Sequence, residues 1–156
     1  MTGIYMEKMH GNSLNCAESV VVRVNKDHPI DAFNSSSMRV ASLCGGGICG
    51  SGQICGAASG AIICLGLAFG TDGTEDAKTF KERRSLGRSV GNQFLMEFVE
   101  SWGTTDCRHL KAMDRGELNP AGKLRLKQEP VRDRCEDYVA WSSKKVIQLL
   151  SQIEDN

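Results

Sequence analysis

Three prolines, 6% aromatic residues and no net charge are the first constraints this 156-residue sequence imposes. Lys and Arg number 19, as do Asp and Glu, so the basic footprint of a nucleic-acid binder is missing. Glycine is abundant at 17 residues. With so little proline, that excess indicates close backbone approach rather than disordered linkers. No segment has the 18–20 predominantly apolar residues of a membrane span. The charge-free stretch from Val40 to Thr71 comes nearest, but its first half is rich in glycine and serine and only Ile54 to Phe69 is apolar. Cys-x-x-Cys does not occur, which excludes thioredoxin-type, zinc-ribbon and haem-attachment sites. Met1 to Gly11 carries Glu7 and Lys8 and has no apolar run of the secretory type, so a cytoplasmic location is expected.

What the chain has instead is seven cysteines, an odd number. In a cytoplasmic protein a disulfide framework is a poor default, and metal binding or thiol chemistry is the better expectation. A single buried cysteine often acts as a small hydrophobe. Seven together are not explained that way.

The apolar periodicity predicts an all-α fold, a compact single-domain bundle of five to six helices spanning 1–156 with an ordered core from about residue 13 to 153. The first helix runs from Ser13 to about Asn25, with Cys16, Val20 and Val24 on one face. Asn15 followed by Glu18 suggests a capping box that makes Cys16 the first helical residue, and Ser13 is the competing cap. A second helix runs from Asn34 to about Leu43. The third, Ile54 to Phe69, is a buried central helix rich in glycine and alanine, on which Gly56, Gly60 and Cys64 are stacked four apart. Such a strip admits another backbone, from within the chain or from a second copy; the first is favoured, and a homodimer stays open. Thr74 to Trp102 is a long charged helix with Leu86, Val90, Phe94, Leu95, Phe98, Val99 and Trp102 as its stripe, where Gly87 and Gly91 bend it or admit a neighbour. A short helix opens at Thr105 or Asp106, a polar irregular segment covers Asp114 to Pro130, and the last helix runs from Arg132 to Ile153. There is no strong strand signal.

Cys16, Cys55 and Cys107 fall at or near helix starts, where free amides and the helix dipole favour a thiolate and lower its pKa. Cys135 falls within the first turns of the last helix. Four thiols from four helices could converge on one point. The stretch Cys44-Gly45-Gly46-Gly47-Ile48-Cys49-Gly50-Ser51-Gly52 requires several positive φ angles. Its amides would form an anion-binding nest, or else it is a tight connection that needs glycine. No Gly-Lys-Ser/Thr follows it and no strand precedes it, so it is neither a Walker loop nor a dinucleotide fingerprint. Cys44, Cys49 and His109 are candidate additional ligands; Cys44 and Cys49 could equally be resolving thiols, and His109 a surface residue. Cys64, on the glycine strip, is expected to pack.

Asn15-Cys16-Ala17-Glu18, the glycine triplet, Cys55-Gly56-Ala57-Ala58-Ser59-Gly60-Ala61, Cys107-Arg108-x-Leu110 and Cys135 occur in that order. This order resembles the C_GCAxxG_C_C family of redox-active proteins, over about Leu14 to Leu150. The resemblance implies a mostly helical prokaryotic protein whose four family cysteines are Cys16, Cys55, Cys107 and Cys135. A similar segment occurs in split-Soret cytochromes, where it accompanies an iron–sulfur centre. The expectation is therefore an iron–sulfur cluster, [2Fe–2S] for instance, serving electron transfer or redox sensing with a redox partner. Gly45, Gly46, Gly47, Gly56 and Gly60 would support it. Two alternatives stay open: a metal-free thiol–disulfide protein, and a structural zinc or partner-binding module without turnover.

Overall fold

Asn15 closes a complete capping box: its side chain accepts from the Glu18 amide at 2.9 Å, and the Glu18 carboxylate accepts from the Asn15 amide at 2.7 Å. Helix α1, Cys16–Asp27, therefore starts at Cys16, and Ser13 does not compete. In the computed structural model, residues 7–117 and 133–156 are described. Among them are five further helices: α2 (Ser35–Ser42), α3 (Gly56–Phe69), α4 (Ala77–Trp102), α5 (Cys107–Asp114) and α6 (Cys135–Glu154). The fold is all-α. Each of α2, α4 and α5 begins at a side-chain cap, from Asn34, Asp76 and Asp106 respectively. Helix α4 thus starts three residues later than the periodicity suggests, because Asp76 takes the amides of Lys78 and Thr79. Residues 118–130 of the expected irregular segment, and Arg132 at the expected start of the last helix, lie outside the described residues.

One minimal hairpin accompanies the helices, in keeping with the weak strand signal of the sequence. Lys8–Met9 (β1) and Asn12–Ser13 (β2) pair antiparallel, turned by His10 and Gly11 at φ 49° and 79°. Both central residues at positive φ mark the tightest kind of hairpin turn. Ile54 and Asp106 form an isolated antiparallel bridge. Two-residue pairings leave no alternating pattern to read.

Helix α3 is the centre, apolar nearly all round, with Ala57, Ala58, Ala61, Cys64 and Leu65 buried. Helices α1, α4 and α6 pack on it. The glycine strip faces α1 within the chain: a Cβ on Gly60 would stand 2.6 Å from the Ala17 carbonyl oxygen and 3.0 Å from its Cα. Gly87 similarly admits the Phe69 carbonyl, 3.3 Å from a built Cβ. The scarce aromatics are concentrated between α4 and α6. Both tryptophans, Tyr138, Phe94 and Phe98 form one run of tilted and edge-on rings, with centroids 4.9–6.3 Å apart. Full burial of a phenylalanine contributes about 1.5–3 kcal/mol by transfer alone, and Phe94 and Phe98 are both fully buried. Leu86 and Val99, expected on the buried stripe of α4, are 43% and 42% exposed; only Val90, Phe94 and Phe98 of that stripe are buried. No helix among the described residues is long and apolar enough to cross a membrane.

Candidate functional site: a four-thiol cavity

Four helix starts meet at one place. Cys16, Cys107 and Cys135 are the first residues of α1, α5 and α6, and Cys55 is the residue before α3. All four line a single cavity of about 310 Å³. Gly46, Leu110, Lys111, Asp133 and Tyr138 are also in its wall. Cys135 thus occupies a helix start like the other three, not a position further along.

Separate local devices set each thiol. The capping box places Cys16, and Asn15 also donates to the Ser42 carbonyl at 3.1 Å, tying α1 to the end of α2. Cys55 and Cys107 are registered by the bridge: the Cys55 amide donates to Thr105 at 2.7 Å, and the Cys107 amide to Gln53 at 2.6 Å. Arg108 then clasps the glycine loop, its Nη2 donating to the Ser51 carbonyl at 2.9 Å. Asp114 holds the start of α6, accepting from the Arg134 amide at 3.0 Å and from the Tyr138 hydroxyl at 2.6 Å. Arg23 joins Glu136 of α6 at 2.7 Å to Glu7 beside β1 at 2.6 Å.

Glycine is needed where these pieces touch. A Cβ on Gly56 would overlap the Cys16 Sγ, and one on Gly47 would come within 2.8 Å of the Cys107 Cβ and 2.5 Å of the Gln53 nitrogen. A Cβ on Gly45 would strike the Asn15 side chain at 2.6 Å. The loop takes the expected left-handed angles at Gly46, Gly47, Ile48, Cys49, Gly50 and Gly52. As an anion nest, however, it is only partly available. The amides of Ile48, Cys49, Gly50, Ser51, Gly52 and Gln53 all donate to nearby backbone carbonyls between Leu43 and Ile48. Its wall contribution to the cavity narrows to Gly46.

Cys55 and Cys107 do not have the lowered pKa that helix starts alone would give. Burial pushes the Cys55 thiol up to about 12, against the downward pull of the nearby Ala58 and Ala57 amides, with the Cys16 and Cys107 sulfurs adding to the rise. Burial also raises Cys107, though Lys111 pulls it down. Cys135 is raised by burial and then by hydrogen bonding to Asp133. Removing a thiolate from water outweighs the partial charge at a helix end. Each of these three thiols is further raised by Cys16.

The other sequence candidates lie elsewhere. Cys64 is fully buried in the core cluster, its thiol pushed up to about 12 by burial. Cys44 faces a different groove, Cys49 is exposed, and His109 is half-buried outside the cavity wall. Lys111, Asp114 and Tyr138 were not anticipated. Tyr138 stands one turn after Cys135, a spacing that could have suggested it.

A family model described as "Putative redox-active protein (C_GCAxxG_C_C)" matches residues 14–149. The chain belongs to the C_GCAxxG_C_C family. Neither the comparison with curated proteins nor that with solved structures gives a match. The C_GCAxxG_C_C motif acquires a physical content here. The matched range contains all four cavity thiols and the glycines at which α3 and the loop touch the Cys16 and Cys107 segments. Among the described residues, no three His, Cys, Asp or Glu side chains are grouped to hold a single metal ion. A lone zinc would require all four sulfurs at about 2.3 Å from one point. The donor set around the cavity is all thiol, which suits zinc and iron–sulfur clusters alike.

Proposed function

We propose that the cavity holds an iron–sulfur cluster on Cys16, Cys55, Cys107 and Cys135, for electron transfer or redox sensing. The observation that carries this reading is the convergence of four thiols from four helix starts on one cavity. Four cysteine thiolates are the usual ligand set of such clusters. A bound cluster supplies one-electron chemistry. The protein supplies the positive ends of four helices and the Lys111 ammonium, which favour an anionic group, and a partly closed cavity that limits access of water. Tyr138, held by Asp114, fixes one wall.

The raised Cys55 thiol supports the same reading over a metal-free one. A thiol at about 12 is almost wholly protonated at neutral pH and is a poor nucleophile, whereas a coordinated thiol is deprotonated outright. A structural zinc site is supported less, since the sulfurs would have to collapse onto one ion.

The test is anaerobic purification, followed by an absorption spectrum and iron, sulfide and zinc analysis of one sample. The expected result is iron with equal sulfide and visible charge-transfer bands, at about two of each per chain for a [2Fe–2S] centre. Stoichiometric zinc without sulfide would replace this reading with a structural site. No metal, together with a disulfide mapped to two of the four cavity cysteines, would replace it with thiol–disulfide exchange.

A further inference from the structure

Cys44 and Cys49 take no part in the four-thiol cavity, yet the fold holds them beside each other. Cys44 follows the last turn of α2, and Cys49 is exposed at the outer end of the glycine loop. Backbone bonds close the chain between them. The Cys49 amide donates to the Leu43 carbonyl at 2.7 Å, and the Ile48 amide to the Cys44 carbonyl at 3.3 Å. With the first bond in place, standard covalent geometry holds the two Cα atoms to roughly 7 Å or less. Disulfides form at Cα separations of about 4.4–6.8 Å.

The turn that brings Cys49 back is strained. Ile48 and Cys49 have φ of 65° and 50°, a region unfavourable for a residue with a Cβ and especially poor for a β-branched one. Such strain persists only where the surroundings enforce it, and it gathers at functional segments. Cys44 is also open to solvent-facing space. It lines an apolar groove of about 730 Å³ with Ile48, Ile54, Ile62, Met96 and Val99. Burial, then the Cys49 and Cys16 sulfurs, raise the Cys44 thiol, so the pair interacts electrostatically as well.

We infer that Cys44 and Cys49 form a reversible dithiol–disulfide couple, separate from the four-thiol cavity, that exchanges with an external disulfide. The exposed Cys49 thiolate attacks one sulfur of that disulfide, forming a mixed disulfide and releasing the first thiolate. The Cys44 thiolate then attacks the Cys49 sulfur, forming the Cys44–Cys49 bond and releasing the second. The external disulfide gains two electrons and, from the couple, two protons; the couple loses both. An external dithiol reverses the sequence. None of these steps passes through the cavity, so the couple does not depend on the cluster reading.

The test uses the full chain, purified anaerobically with whatever metal it carries. It is equilibrated with glutathione disulfide, quenched in acid, alkylated and mapped by mass spectrometry, with iron and sulfide measured before and after. The expected result is a Cys44–Cys49 linkage and the loss of two free thiols, with iron and sulfide unchanged. In Cys44→Ser the same treatment should stop at a glutathione adduct on Cys49. Both thiols remaining free, a stable adduct in the unsubstituted chain, or linkage of either residue to a cavity cysteine would overturn the inference. So would loss of iron from Cys44→Ser or Cys49→Ser, which would make them ligands. A chain without iron that still forms Cys44–Cys49 would sink the cluster reading and leave this one standing.

Discussion

Two thiol regions lie within a few residues of each other in this fold and are built in opposite ways. The cavity thiols come from four separate helix starts and are held by caps and a β-bridge, with Cys55 and Cys107 buried and Cys16 and Cys135 half-buried. Cys44 and Cys49 come from one strained loop, are close in sequence and face solvent or an open groove. The first arrangement suits a ligand set, because its geometry depends on the whole fold and its thiols resist attack. The second suits exchange, because an external disulfide can reach it. What separates them is sequence distance and the exposure of Cys49, since the chemical group is the same.

Substitutions should break the two regions differently. The largest effect is expected from Cys55→Ala, which removes a thiol 6% exposed at the cavity: iron and sulfide content should fall to near background, and metal-dependent protection against unfolding with it. Gly60→Ala should come next. Its Cβ meets the Ala17 backbone, so α1 and α3 must separate at a cost of about 1–3 kcal/mol, visible in urea denaturation as a lower midpoint with reduced cofactor content. Asp114→Asn keeps the shape but presents an amide to one of its two donors, Arg134 N–H or Tyr138 O–H. A loss of about 1–3 kcal/mol is expected for the unsatisfied group.

A gentler change should come from pH. In the metal-free chain the folded Cys55 thiol is raised from 9.0 to about 12, so the folded state keeps a proton that the unfolded state releases. Its stability contribution is fully present below about pH 9 and declines as pH rises from there toward 12. The melting temperature of metal-free protein should therefore fall across that window, and less so in Cys55→Ala. The smallest effect is expected at Cys49→Ser, exposed in the loop: stability should stay within about 0.5 kcal/mol and iron content should be unchanged, while disulfide exchange is lost.

The helices were legible in the sequence wherever a cap or a strong apolar period marks them. Asn15 and Glu18 located Cys16 to the residue, and the spacing of Gly56 and Gly60 announced the close approach of a backbone. The four cavity cysteines were also legible from their order in the chain. Three features were not. The Ile54–Asp106 bridge, which registers Cys55 against Cys107, is a single pair and has no period. Asp114 and Lys111 reach the site only through tertiary placement. The direction of the thiol shifts was misjudged because a helix start is visible in sequence whereas the desolvation that outweighs it is a property of the folded cavity.

The central claim, that four thiols and only those four make one cofactor site, is tested most directly by seven single Cys→Ala variants, reconstituted anaerobically with iron and sulfide under identical conditions. The account predicts that the variants at Cys16, Cys55, Cys107 and Cys135 bind little of either, while those at Cys44, Cys49 and Cys64 match the unsubstituted chain. Full iron and sulfide in any of the first four, or their loss in any of the last three, would contradict it.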